Sequence, residues 1–310
     1  MSRIAVLRGG RSFERQVSLA SGQRVQAALE RLGHDVVGVD ASHELVAELR
    51  GIAPDACFVA LHGADGEDGT IQELLELLGI PYTGSDPGGC ARSIDKVLTK
   101  QALRRAGIAT PDWLSFSQAA FRELGATDAL GLAGERLGFP LVVKPALGGS
   151  ALGIKGAGSA AELPGALLGS FSYGDGGRVL LERQVRGRDL AVGVLDGEAL
   201  PVVEAVPVGE DPDAYGARYD VGATRFTCPA QLDDDATRRA QEVAVQVHEL
   251  LGLRGFSRVD LLLEEETGEL QVLEANAIPG LTDTSLLPQA AEAAGIRFDE
   301  LVARMLAGAA

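Results

Sequence analysis

The sequence RVDLLLEEETGELQVLEANAIPGLTDTSL, from Arg258 to Leu286, sets oxygen-bearing side chains into an otherwise apolar pattern. Leu261 to Leu263 and Leu270 to Leu273 read as strands, with Thr267-Gly268 as the hairpin tip between them. Folding the chain about Thr267 sets Glu264 opposite Leu270, Leu262 opposite Val272, Asp260 opposite Glu274 and Arg258 opposite Asn276. Side chains alternate faces along a strand, so Arg258, Asp260, Glu274 and Asn276 are expected on one face. Two carboxylates directly opposite repel each other unless a cation lies between them. Oxygen ligands without His or Cys suit Mg²⁺ or Mn²⁺ held together with substrate phosphates. A solvated hairpin face is the competing reading. It is weakened because Glu274-Ala275-Asn276 runs into a Pro279-Gly280 turn, and catalytic groups gather at strand ends and the loops that follow.

The remaining chain must then supply a phosphate site. With 310 residues it is long enough for two or three packed subdomains, and 46% apolar content fits an ordinary α/β enzyme. A formal charge of −16 argues against nucleic acid or an anionic membrane as partner, so any anionic substrate must be met by local Lys, Arg and metal. Cys57, Cys90 and Cys228 lie far apart, which suits a reducing compartment and provides neither a zinc nor a disulfide framework. No signal peptide or spanning segment is read, and a cytoplasmic location is expected.

Ile4 to Leu7 reads as a strand ending at Gly9-Gly10. Ser12 is a candidate N-cap, and a helical pattern runs from Val17 to Leu32. With strands at Val36 to Val39 and Ala56 to Leu61, this opening predicts a parallel sheet of Rossmann type. RGGRSFER lacks the G-x-G-x-x-G fingerprint, which argues against a nicotinamide enzyme. Glu14 reads as a capping or dipole partner early in the helix. The loop HGADGEDG after the third strand reads as functional, with His62 either a substrate contact or a brace, and Thr70 with Glu73 as a capping box. Tyr82 to Ser93 reads as a turn-rich break. A helix follows from Ile94 to Arg105, with Lys96 and Lys100 on one face that the pattern assigns to solvent.

Leu141 to Pro145 ends in Lys144, and a lysine at the end of a buried strand is costly unless it is paired or aimed at an anion. The glycine-rich run from Ala146 to Ile154 that follows reads as a flap over phosphates, against a plain hairpin turn. A short helix is expected over Ala160 to Leu168. Glu182, in a strand from Val179 to Val185, and Asp189, before a strand from Leu190 to Leu195, suit an adenine amino group and ribose hydroxyls, or protection of a sheet edge. Pro207 to Thr227 reads as a long lid-like segment, and Asp233 to Leu251 as an amphipathic helix.

Taken in order, Gly9 to Gly22, His62 to Gln72, the Lys144 to Gly153 flap and Arg258 to Pro288 resemble the D-alanine–D-alanine ligases of the ATP-grasp carboxylate–amine ligase superfamily. The resemblance spans essentially the whole chain. It implies a mixed α/β ATP-grasp fold with an N-terminal Rossmann-like domain at 1–93, a central subdomain with the flap at 94–180 and a C-terminal domain at 181–310. It implies that Glu14, Ser150 and Tyr219 form a hydrogen-bonded trio around the first substrate. Lys96, Lys144 and Arg218 fall at ATP phosphate positions, and Glu182, Val185 and Asp189 at the adenine and ribose. Asp260, Glu274 and Asn276 match ligands of two Mg²⁺ (or Mn²⁺), Arg258 and the Gly280 amide an oxyanion site. Ser285 and Leu286 match a carboxylate site for the second substrate, and His62 a substrate contact.

The activity implied is ATP-dependent joining of two D-alanines through an acyl phosphate, for peptidoglycan precursors, by a homodimer. Ala151 in place of a second serine, Arg218 for a lysine, Gly216 for an acid and Ala277-Ile278 for a Thr-containing pair depart from the common pattern. A related ligase making D-alanyl-D-lactate or D-alanyl-D-serine, and a non-catalytic nucleotide-binding module, are the alternatives. The second predicts eroded cation ligands, whereas Lys96, Lys144, Asp260, Glu274 and Asn276 are all present.

Overall fold

The computed structural model describes residues 1–173, 177–207 and 224–309, without the side chains at 127 and 207. The expectations placed on Gly216, Arg218 and Tyr219 therefore lie outside the described residues.

The chain opens with β1 (Arg3–Arg8), α1 (Arg15–Arg31), β2 (Asp35–Asp40), α2 (Leu45–Ile52), β3 (Ala56–Val59) and α3 (Thr70–Leu78). The strands pair in parallel in the order β2-β1-β3, as the β-α-β pattern predicts. Ile4 to Leu7 are all buried, which is what a parallel strand covered on both faces requires of an unbroken apolar run. Two local expectations fail here. Ser12 is not the helix cap: its Oγ donates to the His62 carbonyl, and Glu14 takes the N-cap position. Thr70 is the first helical residue rather than a cap, because Asp68 Oδ1 already accepts from its N–H.

Next come α4 (Pro87–Ile94), α5 (Lys96–Ala106), β4 (Trp113–Ser117), α6 (Gln118–Glu123), a 3₁₀ turn (Ala126–Ala129), α7 (Leu130–Leu137), β5 (Leu141–Pro145), β6 (Lys155–Ala157), α8 (Leu163–Phe171) and β7 (Arg178–Arg183). The turn-rich reading of Tyr82 to Ser93 is thus corrected. Asp86 caps a helix there by accepting from Gly89 N, and proline sits at its first turn, where its missing N–H costs nothing. Strands β4, β7, β5 and β6 form an antiparallel sheet whose apolar face closes on α7 and α8.

The chain continues through β8 (Gly187–Leu195), β9 (Glu198–Ala199), β10 (Val203–Pro207), β11 (Thr224–Thr227), α9 (Asp234–Leu250), β12 (Phe256–Glu264), β13 (Leu270–Asn276), α10 (Leu286–Ala293) and α11 (Phe298–Ala307). The third sheet runs β11-β10-β8-β12-β13, with β9 paired to β8. Residues 224–227 are therefore strand rather than part of an irregular lid.

The hairpin register is half as expected. Arg258 faces Asn276 and Asp260 faces Glu274, but Leu262 then meets Gln271 and Leu263 meets Leu270, with the register slipping after Asp260. The extra residue is Leu273, a β-bulge on β13. It leaves Leu273 and Glu274, neighbours in sequence, both lining one cleft.

The cores do not follow the order of the chain. Ile4, Val6 and Phe58 of the first sheet share one apolar cluster with Leu287, Leu301 and Met305 near the other end. A second cluster joins Leu7 and Leu75 to Val192, Val259 and Val272. The two ends of the molecule are thus one packed unit, and the sheet of β4 to β7 carries its own core beside it.

Candidate active site

The cleft forms where three elements converge. Asp95 caps α5 by accepting from Val97 N and Leu98 N, and it bridges backbone to backbone with Leu147. That junction puts Lys96 at the first helical position, under the glycine-rich run after β5. Its Nζ donates to the Gly148 carbonyl at 2.5 Å and lies 3.2 Å from Glu274 Oε2. Strand β5 brings Lys144 in from the opposite side. Asp189 on β8, Asp260 on β12 and Glu274 on β13 line the same cleft, with Leu286 at the start of α10. Two lysines, a helix N-terminus and backbone freed by glycine are groups that can receive phosphates.

The two facing carboxylates are each turned to a cation. Asp260 accepts both arms of the Arg258 fork, from Nε at 2.7 Å and from Nη2 at 2.8 Å. Burial pushes the Glu274 carboxyl up, but Lys96, Lys144 and Arg258 outweigh it and hold the group below the usual carboxylate range. Arg258 is half-buried, and Asp260 and Glu274 hold its charge in place, raising its pKa despite the desolvation. The Asn276 side-chain oxygen accepts from Ile278 N at 2.9 Å and so shapes the turn into Pro279-Gly280. Two carboxylates in register beside an amide oxygen supply the hard donors that Mg²⁺ or Mn²⁺ needs, and these residues fit such ions.

A second cleft lies across the flap. Gly148, Gly149 and Leu152 line both clefts, and Ser12, Phe13, Glu14 and Asp65 line the far wall of the second. Glu14 makes no capping bond; its Oε1 accepts from Ser150 Oγ at 2.7 Å, so the flap and the start of α1 are joined. Burial and the nearby Glu67 raise the Glu14 pKa above its ordinary value. A side chain at Gly63 would put its Cβ 1.8 Å from Glu14 Oε2, so only glycine admits that carboxylate. Ser150 and Ala151 both hold positive φ, +53° and +56°, a backbone state that costs L-residues energy.

His62 is buried between Glu67, 3.4 Å from its Nδ1, and Ser21 Oγ, 3.1 Å from its Nε2. Ser21 Oγ also accepts from Leu281 N, which ties the loop after Gly280 to α1. Arg24, one helical turn further along, donates to the carbonyls of Leu281 and Thr282 while stacking on Phe298 at 3.7 Å. In that loop Ser285 Oγ accepts from Thr282 N at 3.0 Å, and a Cβ at Gly280 would come within 2.7 Å of it.

Glu182 departs from expectation. Its carboxylate is buried behind the cleft between Lys144 and Lys100, so the side chain is committed to lysines and not turned to a base. Val185 is buried on the connection from β7 to β8. Lys100 was expected in solvent and has no exposure at all. Lys100, Glu67, Ser21, Arg24 and Leu273 were not picked out by sequence. Glu67 at least lies inside the glycine-acid loop that was, whereas nothing local marks Ser21 or Arg24.

A three-stranded parallel sheet, two antiparallel sheets and a cleft lined by paired lysines and carboxylates describe an ATP-grasp ligase. Family models described as the D-ala D-ala ligase N-terminus and C-terminus match residues 41–85 and 102–307. A D-alanine–D-alanine ligase of Syntrophotalea carbinolica is 44% identical over 99% of this chain and 96% of its own. One of Aquifex aeolicus is 42% identical over 97% of this chain and 98% of its own. A crystal structure of the Bacillus anthracis D-alanine–D-alanine ligase superposes with a TM-score of 0.85 at 32% identity, covering 99% of this chain and 97% of that one. The same enzyme solved with ATP gives 0.83 at 31% identity, covering 99% and 97%. The chain belongs to the D-alanine–D-alanine ligase family.

Proposed function

We propose that this chain joins two D-alanines into D-alanyl-D-alanine at the expense of ATP, as a step toward peptidoglycan precursors. The observation that carries the reading is that one flap separates a cleft of lysines and facing carboxylates from a cleft built on Glu14, as a nucleotide and an amino acid require. A carboxylate is a poor electrophile, so the first D-alanine must be phosphorylated before an amine can displace the new leaving group. Lys96 and Lys144 take up phosphate charge that would repel the incoming carboxylate. Asp260, Glu274 and Asn276 would hold two Mg²⁺ (or Mn²⁺), which neutralise the same charge when bound.

Glu14, fixed by Ser150, receives the ammonium of the first D-alanine. Arg258 and the Gly280 amide stabilise the oxyanion of the tetrahedral intermediate, and the flap excludes the water that would hydrolyse an acyl phosphate. Asp189 lies in the nucleotide cleft, where it suits a ribose hydroxyl. Ser285 and Leu286, at the start of α10, receive the carboxylate of the second D-alanine.

The tyrosine at position 219 supports D-alanine over D-lactate as acceptor. A homodimer in the cytoplasm is the expected form, and no helix among the described residues is long and apolar enough to cross a membrane. The test is Mg²⁺-dependent phosphate release from ATP with D-alanine, L-alanine, D-serine and D-lactate, alongside Glu274→Ala. Release with D-alanine alone, lost in the variant, is expected. ATP binding without release on any of the four would sink the assignment.

A further inference from the structure

Behind the nucleotide cleft three charged side chains form a buried row. Lys144 Nζ lies 2.8 Å from Glu182 Oε1, and Lys100 Nζ lies 2.5 Å from Glu182 Oε2. Glu182 is 3% exposed and Lys100 0%. The Lys100 ammonium also donates to Thr110 Oγ1 at 2.6 Å and to the Pro111 carbonyl at 3.2 Å, and its contact with Glu182 Oε2 is a charge-assisted one. What Lys100 gives Glu182 is charge. Thr110 hands the chain of bonds on to the Val272 carbonyl of β13 at 2.7 Å, so the lysine is anchored to the strand that carries Glu274.

The sum of charges in this row decides what the cleft presents. Lys144 reaches the cleft and Lys100 does not. A lone Lys144–Glu182 pair would be neutral, and in a low-dielectric interior a neutral pair has little long-range pull on a polyphosphate. A second ammonium on the far oxygen restores a net charge of one. Burying a lysine this deeply is expensive, and no catalytic contact accounts for it.

We infer that Lys100 is a positioning residue for the nucleotide: it offsets Glu182, so that Lys144 keeps a net positive charge toward the phosphates. The inference rests on the reading of this cleft as the ATP site.

Its test compares ATP and adenosine binding by calorimetry in the full-length protein, Lys100→Met, Glu182→Gln and the double variant. Lys100→Met should weaken ATP about tenfold while leaving adenosine within about twofold, because only the phosphates sense the lost charge. Removing Glu182 as well should return ATP affinity to within about threefold of the parent. Equal loss of ATP and adenosine, or no rescue in the double variant, would overturn the role and leave Lys100 a packing residue. Should Lys100→Met fail to fold, Glu182→Gln alone decides: ATP affinity kept or tightened supports the charge balance, and affinity lost refutes it. A parent protein that binds no ATP removes the nucleotide reading itself, and this inference with it.

Discussion

Asp260 and Glu274 face each other across the β12–β13 hairpin, yet each is held by its own cation, Arg258 for one and Lys96 for the other. The arrangement lets two like charges share a strand pair before any metal arrives. The proposed divalent ion would compete with those side chains for the carboxylate oxygens. Glu274→Gln is therefore expected to lower turnover by about a hundredfold or more and to raise the Mg²⁺ concentration needed for half-maximal rate. Coupled ADP release across a Mg²⁺ titration checks both. Chelating the ion in the parent should abolish release reversibly.

The Ser150–Glu14 bond makes a pH prediction. Ionised Glu14 is the form that binds an ammonium, and its pKa already stands above the ordinary 4.5 through burial and Glu67, with the serine bond pulling it down. The D-alanine KM should rise as pH falls through a window above that value. Ser150→Ala removes the downward pull, so the acid limb moves to higher pH while the ATP KM holds. A kcat/KM profile for D-alanine reads the shift. An acid limb that stays put in the variant rules the coupling out.

Ala53 closes α2 in the left-handed region, at φ 48° and ψ 61°, with its side chain exposed. Glycine takes that conformation without a Cβ penalty, and its extra freedom in the unfolded chain offsets only part of the gain. Ala53→Gly should stabilise the fold by about 0.5–1 kcal/mol. Chemical denaturation with an unchanged slope would confirm it.

Arg24 holds the loop proposed to receive the second D-alanine, from a helix far away in sequence. Its donations to Leu281 and Thr282 and its ion pair with Asp283 at 2.9 Å hold the turn that leads to Ser285. Arg24→Ala should raise the KM for the second D-alanine about tenfold and change the ATP KM little, since bonds from a charged donor are worth about 1.5–3 kcal/mol. Steady-state kinetics with both D-alanine KM values resolved would test it.

Part of the site was legible because its residues carry local signals. Lys144 ends an apolar strand before glycines, and folding about Thr267 set Asp260 opposite Glu274, although it is the bulge at Leu273 that delivers this facing. The bulge at Leu273 was not legible, because Leu and Val suit either face and a one-residue slip in an apolar run leaves no mark. The burial of Lys100 was hidden for another reason. Its counter-charge, Glu182, comes from β7, some 80 residues further along the chain, and helical spacing says nothing about partners so distant. Asp95 splits the helix expected from Ile94 to Arg105, and only its bridge to Leu147 reveals why.

The bonds from Ser21 and Arg24 to Leu281 and Thr282 connect residues some 260 positions apart. During synthesis the first sheet and α1 are complete long before α10 and α11 exist to finish the apolar cluster they share. A growing chain therefore carries that cluster unfinished, with the part of α1 that meets α11 uncovered, until α10 and α11 leave the ribosome. A chain truncated before α11 loses Leu301, Val302 and Met305 from that cluster, and Arg24 loses the Phe298 ring on which it stacks beside Leu281 and Thr282.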